Sequence, residues 1–272
     1  MHQQALSDRP QSPARTLCIG SVSFLNAKPL IYGLERNENL RLILDVPSQL
    51  LDGLRNRRMD VALLPVIDYQ RLDGLRIIPS GGIACDGPTL TVRLFSRLPI
   101  PQIRTLACDT DSHTSVALAR ILLAEKYGIL PNFTQWPPGH PPPDTHALLL
   151  IGDKVVCEEP RGFEHQLDLG AAWKDLTGLP FVFAVWMARK TVDLSNLPQQ
   201  LDHAKRRGMA HLDEIIALWA IPRGWPPDIA RRYLAEYLRY DITDRHLTAI
   251  RLFHQLALKH HVIQAPLRDL AL

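Results

Sequence analysis

The chain has 272 residues, 46% hydrophobic and 22% charged, with a formal net charge of +3. That length builds one large or two modest domains with real cores, and the composition is that of a folded globular protein rather than a disordered one. So small a charge gives no reason to expect nucleic acid. The longest apolar runs, HALLLIGD and FVFAVWMA, fall far short of the roughly 20 residues of a spanning helix, so no membrane role is expected either.

Residues 1–15 are polar and Pro-containing and lack the apolar stretch of an export signal, so they read as a disordered tail and the protein as cytoplasmic. From Thr16 the runs TLCIGSV, AKPLIYGLERN, LRLILDV, PSQLLDGLRNRR and MDVALLPV alternate strand-like with helix-length segments. Such alternation predicts an α/β fold with a parallel sheet covered on both faces. The helix over 47–58 is well marked, with Pro47 in its first turn and Leu50, Leu51 and Leu54 on one face. Arg55, Arg57 and Arg58 at its C-terminal end read as a solvated face favoured by the helix dipole.

A strand leaves this first lobe near 89–97, and the alternation restarts with RTLACD, the turn TDSH and the helix TSVALARILLAEKYG. The Pro-rich segment at 137–143 is a surface loop, followed by the buried strand THALLLIGD. FVFAVWMAR returns near 181–188, and beyond about Asp193 the period is helical. Two crossings predict two lobes, 16–97 with 189–272 and 98–188, with a ligand cleft between them. The helices from Ile215 onward either pack on the first lobe or offer a homodimer face.

In open α/β sheets ligands gather at the carboxyl ends of the strands, where the next helix presents free N–H groups. Four such turns are distinctive. GSVSFLNAKP carries Ser23 and Asn26, DGPTLTV carries Gly87, Thr89 and Thr91, DSHTSVAL carries Ser112, Thr114 and Ser115, and IGDKV carries Gly152 and Asp153. For Ser112, Thr114, Ser115 and Asp153 the competing role is helix capping. Asn26, between Leu25 and Ala27, must satisfy two donors and an acceptor if it is buried. No nucleotide-binding glycine motif, hydrolase elbow or metal-type His/Cys spacing occurs, so neither cofactor nor metal is expected. Cys18, Cys85, Cys108 and Cys157 stand singly and read as core thiols, KHHV at 259–262 as a solvated helix face, Trp173 and Trp186 as core, and Gly170 and Gly178 as turn glycines.

The blocks SVSFLNAKPLIYGL, DVALLPVIDY, DGPTLTVRLFS, DSHTSVALARILL, ALLLIGD and DLGAAWKDLTGLPFVFAVW, in this order, resemble the chorismate dehydratases of the futalosine route of menaquinone biosynthesis. The resemblance runs from about residue 16 to the C-terminal helices. It implies a periplasmic-binding-protein type II fold and a cofactor-free loss of water from chorismate to give 3-[(1-carboxyvinyl)oxy]benzoate. It also implies functional roles for the first-turn asparagine, here Asn26, and for a serine whose position is Thr91. Where the family commonly has Gly-Ser before Val, this chain has Leu90-Thr91.

An amide does not act as a base near neutral pH but can hold a hydroxyl or a carboxylate. The base expected on this reading is the substrate's own enolpyruvyl carboxylate, positioned by Asn26 and Thr91, with Asp153 or His113 as competing assignments. The substrate carboxylates would be received at the helix start bearing Ser112, Thr114 and Ser115. A non-catalytic or paralogous small-carboxylate binder of the same fold is the second expectation, and an extracytoplasmic solute receptor a third, disfavoured by residues 1–15.

Overall fold

The structure, a computed structural model, describes residues 16–109, 113–137, 140, 143–157 and 160–272. The expected N-terminal tail, Ser112 and much of the Pro-rich loop lie outside the described residues.

In chain order, β1 (Leu17–Ser21) leads through a 3-10 turn, Leu25–Ala27, into the single turn α1 (Lys28–Ile31), followed by β2 (Leu40–Leu44), α2 (Pro47–Arg55), β3 (Val61–Pro65) and β4 (Leu75–Cys85). Next come β5 (Val92–Ser96), β6 (Thr105–Asp109), α3 (His113–Tyr127), β7 (Asn132–Trp136), β8 (Ala147–Ile151), α4 (Asp153–Cys157), β9 (His165–Asp168) and α5 (Leu169–Thr177). The chain finishes with β10 (Phe181–Arg189), α6 (Leu197–Ala210), α7 (Leu212–Ile215), α8 (Pro227–Arg232), β11 (Leu238–Arg239) and α9 (Asp244–Lys259).

Local chemistry accounts for the strongest elements. Pro47 at the first position of α2 lacks only an N–H that would have no helical partner, and Leu50, Leu51 and Leu54 bury one face. β3 is buried at every residue because both of its faces are covered, which explains an unbroken apolar run.

Two sheets result, one of order β11-β4-β10-β3-β1-β2 and one of order β7-β6-β8-β5-β9. β1 runs parallel to β2 and β3, and β6 parallel to β7 and β8, as βα alternation demands. β10 is antiparallel to β3 and β4, and β5 antiparallel to β8 and β9, so both sheets are mixed rather than purely parallel. These antiparallel strands are the ones entered from the other lobe. β5 lies wholly in the second sheet and β10 wholly in the first. Sheet membership therefore changes within 86–91 and 169–180, not at the expected 97/98 and 188/189 borders. An apolar run records burial in a sheet but not which sheet.

Trp173 and Trp186 are fully buried, Trp173 edge-on to Phe181 and Phe253. Leu247, Ile250, Phe253 and Ala257 of α9 are buried within the chain. Cys85 and Cys108 are buried as expected of core thiols, whereas Cys157 is exposed. Among the described residues no helix is long and apolar enough to cross a membrane.

Candidate active site

The turn after β1 places Asn26 by local packing. Leu25 and Ala27 on either side are buried, and the 3-10 turn directs Asn26 away from them. Its Oδ1 is buried and has no hydrogen-bond partner, a costly state in a finished protein and an expected one in a site awaiting a ligand.

Thr91 sits in the first inter-sheet crossing, just before β5 rather than on a strand. Leu90 beside it holds φ +66°, a conformation glycine adopts freely and other residues rarely. The Asp168 carboxylate fixes the loop. It accepts the Thr89 N–H at 3.0 Å and the Leu90 N–H at 2.9 Å. It also caps α5 by accepting the Ala171 N–H at 3.0 Å. A β-carbon at Gly170 would lie 2.6 Å from Cys85 Sγ and from the Gly87 carbonyl oxygen. Gly170 therefore serves close approach inside α5, not a turn, whereas Gly178 at φ +72° does end that helix.

The Thr91 hydroxyl donates to the Tyr233 phenol oxygen at 2.9 Å. Tyr233 opens a π-helical turn, Tyr233–Tyr237, that continues α8, and its ring stacks on Trp225 with centroids 5.2 Å apart. Burial pushes the Tyr233 phenol well above its usual range, partly opposed by hydrogen bonding from Thr91 and Asn26. Asn26, Thr91 and Tyr233, from three distant parts of the chain, thus meet at one point.

That point lines a cleft that opens to solvent. Val22, Phe24, Leu63, Ile83, Phe183 and Leu238 contribute apolar wall, and the polar lining is Asn26, Thr89, Thr91, Thr114, Ser115, Gly152 and Tyr233. Among the described lining residues there is no Asp, Glu, His, Lys or Arg. Thr114 and Ser115 lie in the first turn of α3 and are buried, with the Thr114 hydroxyl donating across the lobes to the Phe183 carbonyl at 3.2 Å.

Three expected residues stand outside this lining. Ser23 is exposed, and Gly87 shapes the crossing loop at φ +134°. Asp153 is the first residue of α4 rather than its cap. Its Oδ1 accepts the Trp225 indole N–H at 2.7 Å, and Arg223 lies 3.7 Å from Oδ2. His113 faces the fully buried Asp68 carboxylate, with Nδ1 3.2 Å from both oxygens. Tyr233, Trp225 and Asp168 escaped the sequence reading. Asp168 alone left a signal, an acidic residue immediately before the helix LGAAW. Among the described residues no three His, Cys, Asp or Glu side chains converge on a metal position.

Two sheet-built lobes, crossed by antiparallel strands and enclosing an apolar cleft at their junction, define the periplasmic-binding-protein-like class. Solved structures agree on the fold. A protein from Archaeoglobus fulgidus superposes with TM-score 0.69 at 17% identity, covering 91% of this chain and 98% of that one. The alkanesulfonate-binding protein from Xanthomonas axonopodis pv. citri gives TM-score 0.68 at 15% identity, covering 94% and 96%. Residues 17–259 match the menaquinone biosynthesis family, and the chain belongs to it. A relative named chorismate dehydratase from Thermus thermophilus is 29% identical over 88% of this chain and 94% of its own length. Another of that name from Campylobacter jejuni is 24% identical over 87% and 96%.

Proposed function

We propose that this protein is a chorismate dehydratase, a hydro-lyase that converts chorismate to 3-[(1-carboxyvinyl)oxy]benzoate. The observation that carries this reading is a cleft whose described lining offers amide, hydroxyl and phenol groups but no acidic or basic side chain.

The chemistry suits such a lining. The ring carbon bearing the enolpyruvyl ether loses its proton, the C–H electron pair becomes the last ring double bond, and the C–O bond to the adjacent hydroxyl breaks. Aromaticity supplies the driving force, so positioning matters more than a strong protein base. The enolpyruvyl carboxylate takes the ring proton, and that proton leaves with the departing hydroxide as water. Asn26 and Thr91 hold the reacting face, and Thr114 and Ser115 in the first turn of α3 receive a carboxylate at the positive end of that helix.

Purified protein given chorismate is expected to abolish the diene absorbance and yield the enolpyruvyl benzoate. Asp153→Asn, which keeps an acceptor for Trp225, and His113→Ala are expected to leave the pH profile of kcat unaltered. Loss of a bell-shaped limb in either variant would restore a protein base. Leu90-Thr91, where the family commonly has Gly-Ser, favours the second reading, a paralogue that binds another small carboxylate. In that case chorismate persists unchanged in the same assay.

A further inference from the structure

Two polar valences face the cleft unspent. Oδ1 of Asn26 is buried and accepts nothing. The Tyr233 oxygen accepts the Thr91 proton, so the proton on Tyr233 itself is left to be donated. An acceptor and a donor side by side suit a group that can both give and take a hydrogen bond. A carboxylate cannot, since it only accepts; an alcohol can.

We propose that Asn26 and Tyr233 form a hydroxyl-recognition pair, in which Tyr233 donates to, and Asn26 Oδ1 accepts from, the ring hydroxyl that departs in the elimination. The assignment rests on the dehydratase reading and adds Tyr233 as a catalytic residue in contact with the leaving oxygen. Tyr233 keeps its proton throughout; the departing hydroxide is protonated by the carboxylic acid formed when the enolpyruvyl carboxylate takes the ring proton. Burial makes the tyrosinate form costly, which suits a fixed hydrogen-bond donor rather than a proton donor. The phenol is held where it is by stacking on Trp225, itself anchored to Asp153 across the lobes.

The test compares substrate, which has the hydroxyl, with product, which does not. Tyr233→Phe is expected to lower kcat by roughly 10- to 1000-fold, as removal of a preorganised donor at a developing negative charge does. The inhibition constant of 3-[(1-carboxyvinyl)oxy]benzoate is expected to stay at the wild-type value. An unchanged kcat, or product affinity that weakens in step with kcat, would overturn the assignment, the latter by placing Tyr233 on a carboxylate. Should Tyr233→Phe fail to fold, Asn26→Leu interrogates the other half of the pair with the same two readouts. If wild-type protein leaves chorismate intact, the dehydratase reading fails by itself. Equilibrium binding then decides the pair, which requires that Tyr233→Phe weaken chorismate but not the hydroxyl-free benzoate; equal weakening of both would refute it.

Discussion

Leu90 holds a left-handed backbone conformation that costs a residue with a β-carbon roughly 1–2 kcal/mol. The expense is offset within the same loop, because Asp168 takes the Thr89 and Leu90 N–H groups together with the first turn of α5. Asp168→Ala would strand three partly buried donors, each worth roughly 1–3 kcal/mol when left unpaired. The expected outcome is a loss of about 3 kcal/mol or more in denaturant unfolding, with a fall in kcat because Thr91 is no longer held against Tyr233. Asp168→Asn, retaining an acceptor, should lose less, and equal losses would mean that the carboxylate's second oxygen is essential. At this scale Asn26 was legible in the sequence because its anomaly is local, a carboxamide between two apolar neighbours. Tyr233 was not. RRYLAEYLRY offers three tyrosines, and only the π-helical turn, together with a partner 142 residues away, singles out the first.

Elements reach the site through contacts that leave little slack. α6 packs backbone to backbone against α1, and a β-carbon on Gly208 would stand 2.2 Å from the Pro29 carbonyl oxygen and 2.6 Å from Pro29 Cα. Backbone atoms cannot rotate away as a side chain can, so Gly208→Ala must push α6 off α1, at a cost of about 1–3 kcal/mol by analogy with overpacked cores. Asn26 lies two residues before the displaced helix, so activity is expected to fall along with the unfolding free energy. Wild-type stability in that variant would show that α6 does not bear on α1. The helix α2 could be read beforehand because a 3–4 apolar spacing, here Leu50, Leu51 and Leu54, survives any tertiary context. β7 and β9 could not, for a physical reason. They are the two edges of the second sheet, where half-exposed strands such as NFTQW and HQLD carry polar residues and lose the apolar run that marks a central strand.

For the whole molecule, two lobes were legible because two strand-like runs, near 89–97 and 181–188, had to connect two βα units; the placement of those runs was not, since pairing partners are chosen in three dimensions. What joins the lobes at the cleft was equally invisible. Asp153 in the second lobe accepts the Trp225 indole N–H from the C-terminal segment packed on the first, and Thr114 reaches Phe183 in the same direction. A hydrogen bond to a charged acceptor contributes roughly 1.5–3 kcal/mol, enough to shift an open–closed equilibrium about 10- to 100-fold. Asp153→Ala is therefore expected to widen the unliganded molecule, read as a larger radius of gyration by solution scattering, and to raise KM by up to that factor. Ligand closes the lobes in both proteins, so kcat should change far less than KM, and saturating product should return the radius of gyration to the wild-type value. An unchanged radius and KM would mean that the lobes are held by the rest of their interface, and that Asp153 serves only to seat Trp225 beneath Tyr233.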